Sequence, residues 1–167
     1  MMKETDQWIS SEELFAAIEE ILSNGKQAEF TVTGMSMWPF LCHGRDRVIV
    51  EKAAPDSLRK GDIVLFQTLR GTYLLHRITR LDGQRFQTTG DGVCLRDGWF
   101  PLEAVTARVV KLIRNQKEID CHSRMWKCVF RLWMALFPIR GLLLKILRTG
   151  WKALSKIRNA KKTGDQT

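Results

Sequence analysis

Residues 62–89 read DIVLFQTLRGTYLLHRITRLDGQRFQTT, and how this stretch pairs with itself decides the fold. Three runs rich in β-branched and apolar residues, 62–68, 73–79 and 85–89, are separated by Leu69–Thr72 around Gly71 and by Leu81–Gln84 around Asp82-Gly83. Both linkers carry the residues of hairpin turns. Working outward, Phe30 and Val32 alternate with Glu29, Thr31 and Thr33, and RVIVEK at 47–52 and AVTARVVKLI at 104–113 add two more strand-like runs. The expectation is an antiparallel β domain over residues 28–115.

Helical periodicity flanks that domain on both sides. Ser10 and Glu13 have capping-box spacing, and Leu14, Phe15, Ile18, Ile21 and Leu22 follow on one face until Asn24-Gly25 ends the helix. Residues 1–27 are therefore assigned to an N-terminal amphipathic helix, and 116–167 to a basic, amphipathic, helical C-terminal segment. The fold class expected is mainly β, α+β overall.

Charge divides the chain at the same place. The net charge of +9 arises from 27 Lys and Arg against 18 Asp and Glu, yet Cys121–Thr167 alone holds 11 bases and one acid, Asp165. The first 120 residues are close to neutral, so the anionic partner implied by the basic balance belongs to the last 47 residues and the chemistry to the body. At 44% hydrophobic and 27% charged residues the chain is globular rather than disordered or fibrous. Cys42, Cys94, Cys121 and Cys128 are spaced too irregularly for a metal or redox pair and read as free thiols. No secretory leader is recognisable in MMKETDQWI, and the longest uncharged apolar run, Leu132–Ile139, has 8 residues, too few to span a bilayer.

Thr33-Gly34-Met35-Ser36-Met37-Trp38-Pro39 leaves a strand and enters a turn constrained by Gly34 and Pro39. A serine there is either an ordinary turn residue or a nucleophile held on a rigid ledge. Likewise, His76 in LLHRIT reads either as a strand histidine or as a base that titrates near neutral pH. Asp91-Gly92 and Asp97-Gly98 are both good turn dipeptides, so one of these aspartates is expected to serve only a turn. His43 and His122 read as surface residues.

Four segments fall in order: GMSMWP at 34–39, KGDIVLF at 60–66, LLHRIT at 74–79 and TGDGVCLRD at 89–97. Together they resemble the signal peptidase I family, specifically the archaeal, endospore-former and endoplasmic-reticulum branch, which has His before Arg-Ile where the common bacterial enzymes have Lys. The resemblance covers roughly residues 30–113. It implies the antiparallel β peptidase fold shared with self-cleaving repressors, Ser36 as nucleophile, His76 as general base, Asp97 as the carboxylate that orients the histidine and Asp91 as a supporting one. It also implies Met35, Met37 and Pro39 as substrate-binding neighbours of the serine, a substrate with small residues one and three positions before the cut, and no metal or cofactor. The chain departs from the family in lacking an apolar anchor, in reading Gly44-Arg45-Asp46-Arg47-Val48 where a shorter G-D-x-V box is normal, and in having Gly90-Asp91-Gly92 for G-D-N.

In the C-terminal segment, Arg124, Lys127 and Arg131, then Lys145, Arg148, Lys152 and Lys156, draw basic stripes at helical spacing, with Pro138 and Gly141 dividing two helices. Trp, Phe and Leu occupy the remaining surface. That composition suits a helix lying in a membrane interface, with Trp126, Arg131, Trp133, Arg140, Lys145 and Trp151 as contacts. A helix packed on the protein's own β core is the alternative, and nucleic acid is disfavoured by so much apolar bulk. The combined expectation is a membrane-associated serine endopeptidase, peripheral and by default on the cytoplasmic face, that removes a leader from a precursor peptide. The other reading is a non-catalytic, membrane-associated peptide-binding domain of the same fold.

Overall fold

The computed structural model describes residues 11–151. Within it the 62–89 stretch forms a meander of β3 (Ile63–Gln67), β4 (Tyr73–Asp82) and β5 (Arg85–Thr89), turning at Gly71 with φ +80° and at Gly83 with φ +57°. Those left-handed φ values are the reason glycine stands at both turns. With β1 (Ala28–Thr31), β2 (Arg47–Glu51), β6 (Trp99–Pro101) and β7 (Val105–Arg114), the strands lie in the order β1-β2-β7-β3-β4-β5-β6, every pairing antiparallel. An eighth strand, β8 (Lys117–Asp120), pairs with β7. The protein is thus an antiparallel β sheet with helices, an α+β fold.

Strand alternation sends the side chains of β3 into two cores. Ile63 and Leu65 join Ile18, Leu22, Val48, Val50, Val109 and Leu112 on one face, while Val64 and Phe66 join Leu58, Ile78, Phe86 and Leu102 on the other. Phe66 and Phe86 are fully buried and meet edge to face at 5.2 Å. Each such buried side chain contributes on the order of 2–3 kcal/mol, so this second cluster fixes β3, β4 and β5 relative to one another.

Helix α1 (Ser11–Ser23) seals the first core with Ile18 and Leu22, and stacks Phe15 on Tyr73 at 4.0 Å while Tyr73 donates to Glu19 at 2.9 Å. Ser10, which the sequence places at the capping box, lies outside the described residues. The boundary at 116 needs correction. Asn115 and Gln116 adopt φ +49° and +61°, a tight reversal that returns the chain as strand β8, so 117–120 belong to the sheet rather than to the helical segment.

The helical segment begins with α2 (Arg124–Ala135), capped by the Ser123 hydroxyl, and continues after a 3-10 turn (Phe137–Ile139) into α3 over residues 140–151. Two of the expected membrane contacts are corrected here: Trp133 is 8% and Arg140 1% exposed. Trp133 packs with Trp38, Cys42 and Leu144, and both residues turn toward the protein because backbone carbonyls beneath them need donors, as set out below. Trp126 is half-buried against Phe40 and Phe130. Arg131, Lys145 and Trp151 are exposed, as are Met125, Leu132, Ile139, Leu142 and Ile146, each more than half accessible. One face of the segment therefore covers the sheet, and an apolar row interleaved with cations faces outward. No helix among the described residues is long and apolar enough to cross a membrane. Lys152 and Lys156 of the expected stripe lie outside the described residues.

The chain between β1 and β2 is closed by Asp46, which is fully buried. Its carboxylate accepts from the Cys42 N–H at 2.9 Å and from Arg45 and Arg114, and Arg114 also donates to the Phe40 carbonyl. Burial acts to raise this carboxyl, but the bonds from Arg45, Arg114 and Cys42 outweigh it and hold it at about 2 instead of 3.8. A carboxyl lowered by folding stabilises the folded state above its unfolded value, and that contribution is lost as pH falls through the folded one. Asp46→Asn is therefore expected to cost about 2 kcal/mol at neutral pH, and the difference from wild type should vanish as pH drops from 3.8 toward about 2. Chemical denaturation across that range measures it.

Candidate active site

Ser36 lies in the segment that Asp46 closes. Gly34, with φ +82°, donates its N–H to His43 Nδ1 at 3.1 Å, and the Ser36 carbonyl accepts from the Gly92 N–H at 2.7 Å. The serine is thus held through its own carbonyl and through the Gly34 turn before it, while its side chain remains half-exposed. The peptide between Trp38 and Pro39 is cis.

Neighbouring residues of a strand point to opposite faces, and β4 uses this to keep two aspartates apart. His76 and Arg77 are consecutive; each takes one aspartate from the loop between β5 and β6. His76 Nδ1 lies 2.7 Å from Asp97 Oδ2, and the Thr88 hydroxyl donates to the same oxygen at 2.6 Å. Arg77 grips Asp91 through Nε and Nη2, at 2.9 and 2.6 Å, with both side chains 1% exposed. Arg77 also donates to the Gly61 carbonyl and lies 3.9 Å over the Phe130 ring of α2. Neither aspartate serves only a turn, contrary to expectation: Asp97 touches the histidine, and Asp91 is committed to a buried ion pair that ties β4 to the loop.

Burial acts to raise the Asp97 carboxyl, and the hydrogen bonds from His76 and Thr88 overcome it, holding the group below its ordinary value. An ionised Asp97 can only accept, so the proton in the shared bond belongs to His76 Nδ1. In a neutral ring that leaves the acceptor role to Nε2. It faces Gly90: a Cβ built there would lie 3.1 Å from His76 Nε2 and overlap the Ser36 carbonyl oxygen. Glycine at 90 is what allows the ring nitrogen and the serine backbone to converge. Gly92 is equally confined, its missing Cβ falling 2.7 Å from the Trp38 carbonyl and 2.8 Å from that of Met35. Among the described residues, no hydrogen bond joins Ser36 Oγ to His76.

Beside Ser36 opens a cavity of about 130 Å³ lined by Phe15, Phe30, Val32, Met37, Leu65 and Tyr73. Of the three expected substrate neighbours, Met37 is buried and lines this cavity, whereas Met35 is 53% exposed and Pro39 half-buried, neither on its wall. The N-terminal helix supplies Phe15, a contribution that periodicity along α1 does not reveal.

The helical segment reaches the same loop. The carbonyls of Gly90, Asp91 and Gly92 accept in turn from Arg140 at 3.4 Å, Trp133 Nε1 at 3.2 Å and Arg148 at 2.9 Å. Sequence reasoning missed this clamp, as it missed Thr88 and Gly90. Thr88 could have been found from its place in β5, where alternation puts it across from Ile78 and on the face of His76. No protein-family model matches the chain, and no curated protein matches it.

Proposed function

We propose that the protein is a serine endopeptidase with the antiparallel β fold of the signal peptidase I and repressor type, cutting a leader from a precursor peptide through an acyl-enzyme. The reading rests above all on one observation: His76 carries Asp97 on Nδ1 and presents Nε2 toward the Ser36 backbone across Gly90. In the reaction His76 Nε2 takes the Ser36 proton as Oγ bonds to the scissile carbonyl carbon. The tetrahedral oxyanion collapses, the C–N bond breaks, and His76 returns the proton to the leaving amine. Water then hydrolyses the ester by the same route in reverse. The N–H groups of Ser36 and Met37 make no hydrogen bond among the described residues and are the donors for the oxyanion.

The small apolar cavity beside Ser36 suits a short side chain next to the cut. The outward apolar row of α2 and α3, with Arg131 and Lys145 among it, suits attachment to an anionic membrane surface, where apolar contact and charge act together. A peptide-binding module that does not cleave is the second reading, favoured by the missing Ser36–His76 hydrogen bond.

A serine-directed phosphonate separates them. The catalytic reading expects stoichiometric labelling of the full chain on Ser36, detected by intact mass and peptide mapping, and at least about 100-fold slower labelling in His76→Ala. Absence of label on Ser36, or a rate unchanged in His76→Ala, would overturn it in favour of the binding module.

A further inference from the structure

Arg140 of the loop clamp also lines a cavity of about 590 Å³ between the sheet and the helical segment, whose charged lining is entirely cationic: Lys60, Arg80, Arg96, Arg131 and Arg140. Four of these are exposed and enter no ion pair among the described residues. Arg140 is different, being 1% exposed with no carboxylate at ion-pair distance. Its two terminal nitrogens make only long bonds, 3.4 Å to the Gly90 carbonyl and 3.3 Å to that of Trp133, and its Nε has no partner at all.

Collecting like charges around one opening is unfavourable, and burying a guanidinium with an unsatisfied N–H costs further. The nearby Asp91 carboxylate does not settle the account, because it is gripped by Arg77. Phe137 partly compensates, with Arg96 4.3 Å and Arg140 4.9 Å from its ring centroid, but a ring face carries no net charge. An anion with several acceptor oxygens would offset these charges and satisfy the Arg140 Nε–H.

We propose that this cavity is a binding site for a phosphate group, with Arg96 and Arg131 at its mouth and Arg140 inside. A phosphate offers oxygens to several guanidinium groups at once, which is the geometry arginine favours. The exposed apolar residues Leu132 and Ile139, next in sequence to Arg131 and Arg140, give the chain of a phospholipid a place to lie, so a lipid headgroup is the source we favour over a soluble phosphate compound. This site goes beyond the peptidase reading and does not depend on it, since its test reads binding and not cleavage.

The full-length chain is tested against vesicles of phosphatidylcholine alone or mixed equally with phosphatidylglycerol, and separately against inorganic phosphate and glycerol phosphate by thermal shift. Binding is expected to the phosphatidylglycerol vesicles only, weakened about fivefold by each of Arg96→Ala and Arg131→Ala, exposed positions whose loss leaves the core intact. Lys26→Ala, remote from the cavity, should leave it unchanged. Saturable stabilisation by the soluble phosphates, abolished in the double variant R96A/R131A but without vesicle binding, would support the site and assign it to a soluble ligand. No response to any phosphate, vesicle binding indifferent to Arg96 and Arg131, or competition by a poly-glutamate peptide but not by phosphate would each overturn it.

Discussion

Ser36→Ala is expected to lower cleavage of a precursor by at least about 10⁴-fold while leaving the melting temperature unchanged. The asymmetry follows from how the residue is held. The hydrogen bonds that fix this segment are made by backbone groups, the Ser36 carbonyl with the Gly92 N–H and the Gly34 N–H with His43, and the Ser36 hydroxyl makes none among the described residues. Removing it therefore breaks nothing in the fold. His76→Ala should lose a similar factor, and the double variant should be hardly worse than either single one, because nucleophile and base act as one unit. Additive losses, or undiminished turnover in Ser36→Ala, would sink the mechanism. The discriminating measurement is single-turnover cleavage of a leader-bearing peptide, run beside a thermal melt of each variant.

The second large effect separates the two aspartates. Arg77→Met should destabilise the protein by about 3–5 kcal/mol, since it strands Asp91 as an uncompensated charge at 1% exposure. At this chain length that is a fall of about 10 °C in melting temperature. Asp97→Asn should barely move the melt but lower kcat about 10³–10⁴-fold, because an amide at that position can donate to the ring and stabilise the wrong tautomer. A variant pattern with these consequences exchanged would mean that Asp91 serves the chemistry and Asp97 the fold.

Much of this division is legible in the chain itself, and the physical reasons for what is not are instructive. The meander is plain from two glycine turns and three apolar runs. The pairing of His76 with Asp97 comes from the resemblance, and the alternation of β4 explains why its neighbour Arg77 must find another acid. Strand β6 escapes notice because three residues, Trp99-Phe100-Pro101, are too short for any periodicity. Strand β8 escapes because KEID is mostly polar and follows Asn115-Gln116, a pair without the glycine that usually marks a two-residue reversal. In the helical segment amphipathicity reveals that two faces exist but not which of them the sheet will cover. Trp133 and Arg140 read as membrane contacts because nothing local distinguishes them from Trp126 and Arg131. Only the fold reveals the three carbonyls waiting beneath.

Those three carbonyls bear on how far the chain can be shortened. A fragment ending at Asp120 would retain every residue proposed to do chemistry, yet it would strip the donors from Gly90, Asp91 and Gly92 together and uncover Arg77 by removing Phe130. The smallest piece that could cleave a peptide is therefore no smaller than the piece that reaches the surface row of α2 and α3. The proposed docking surface and the proposed catalytic site thus share one boundary, and shortening the chain to remove the first would dismantle the loop on which the second depends.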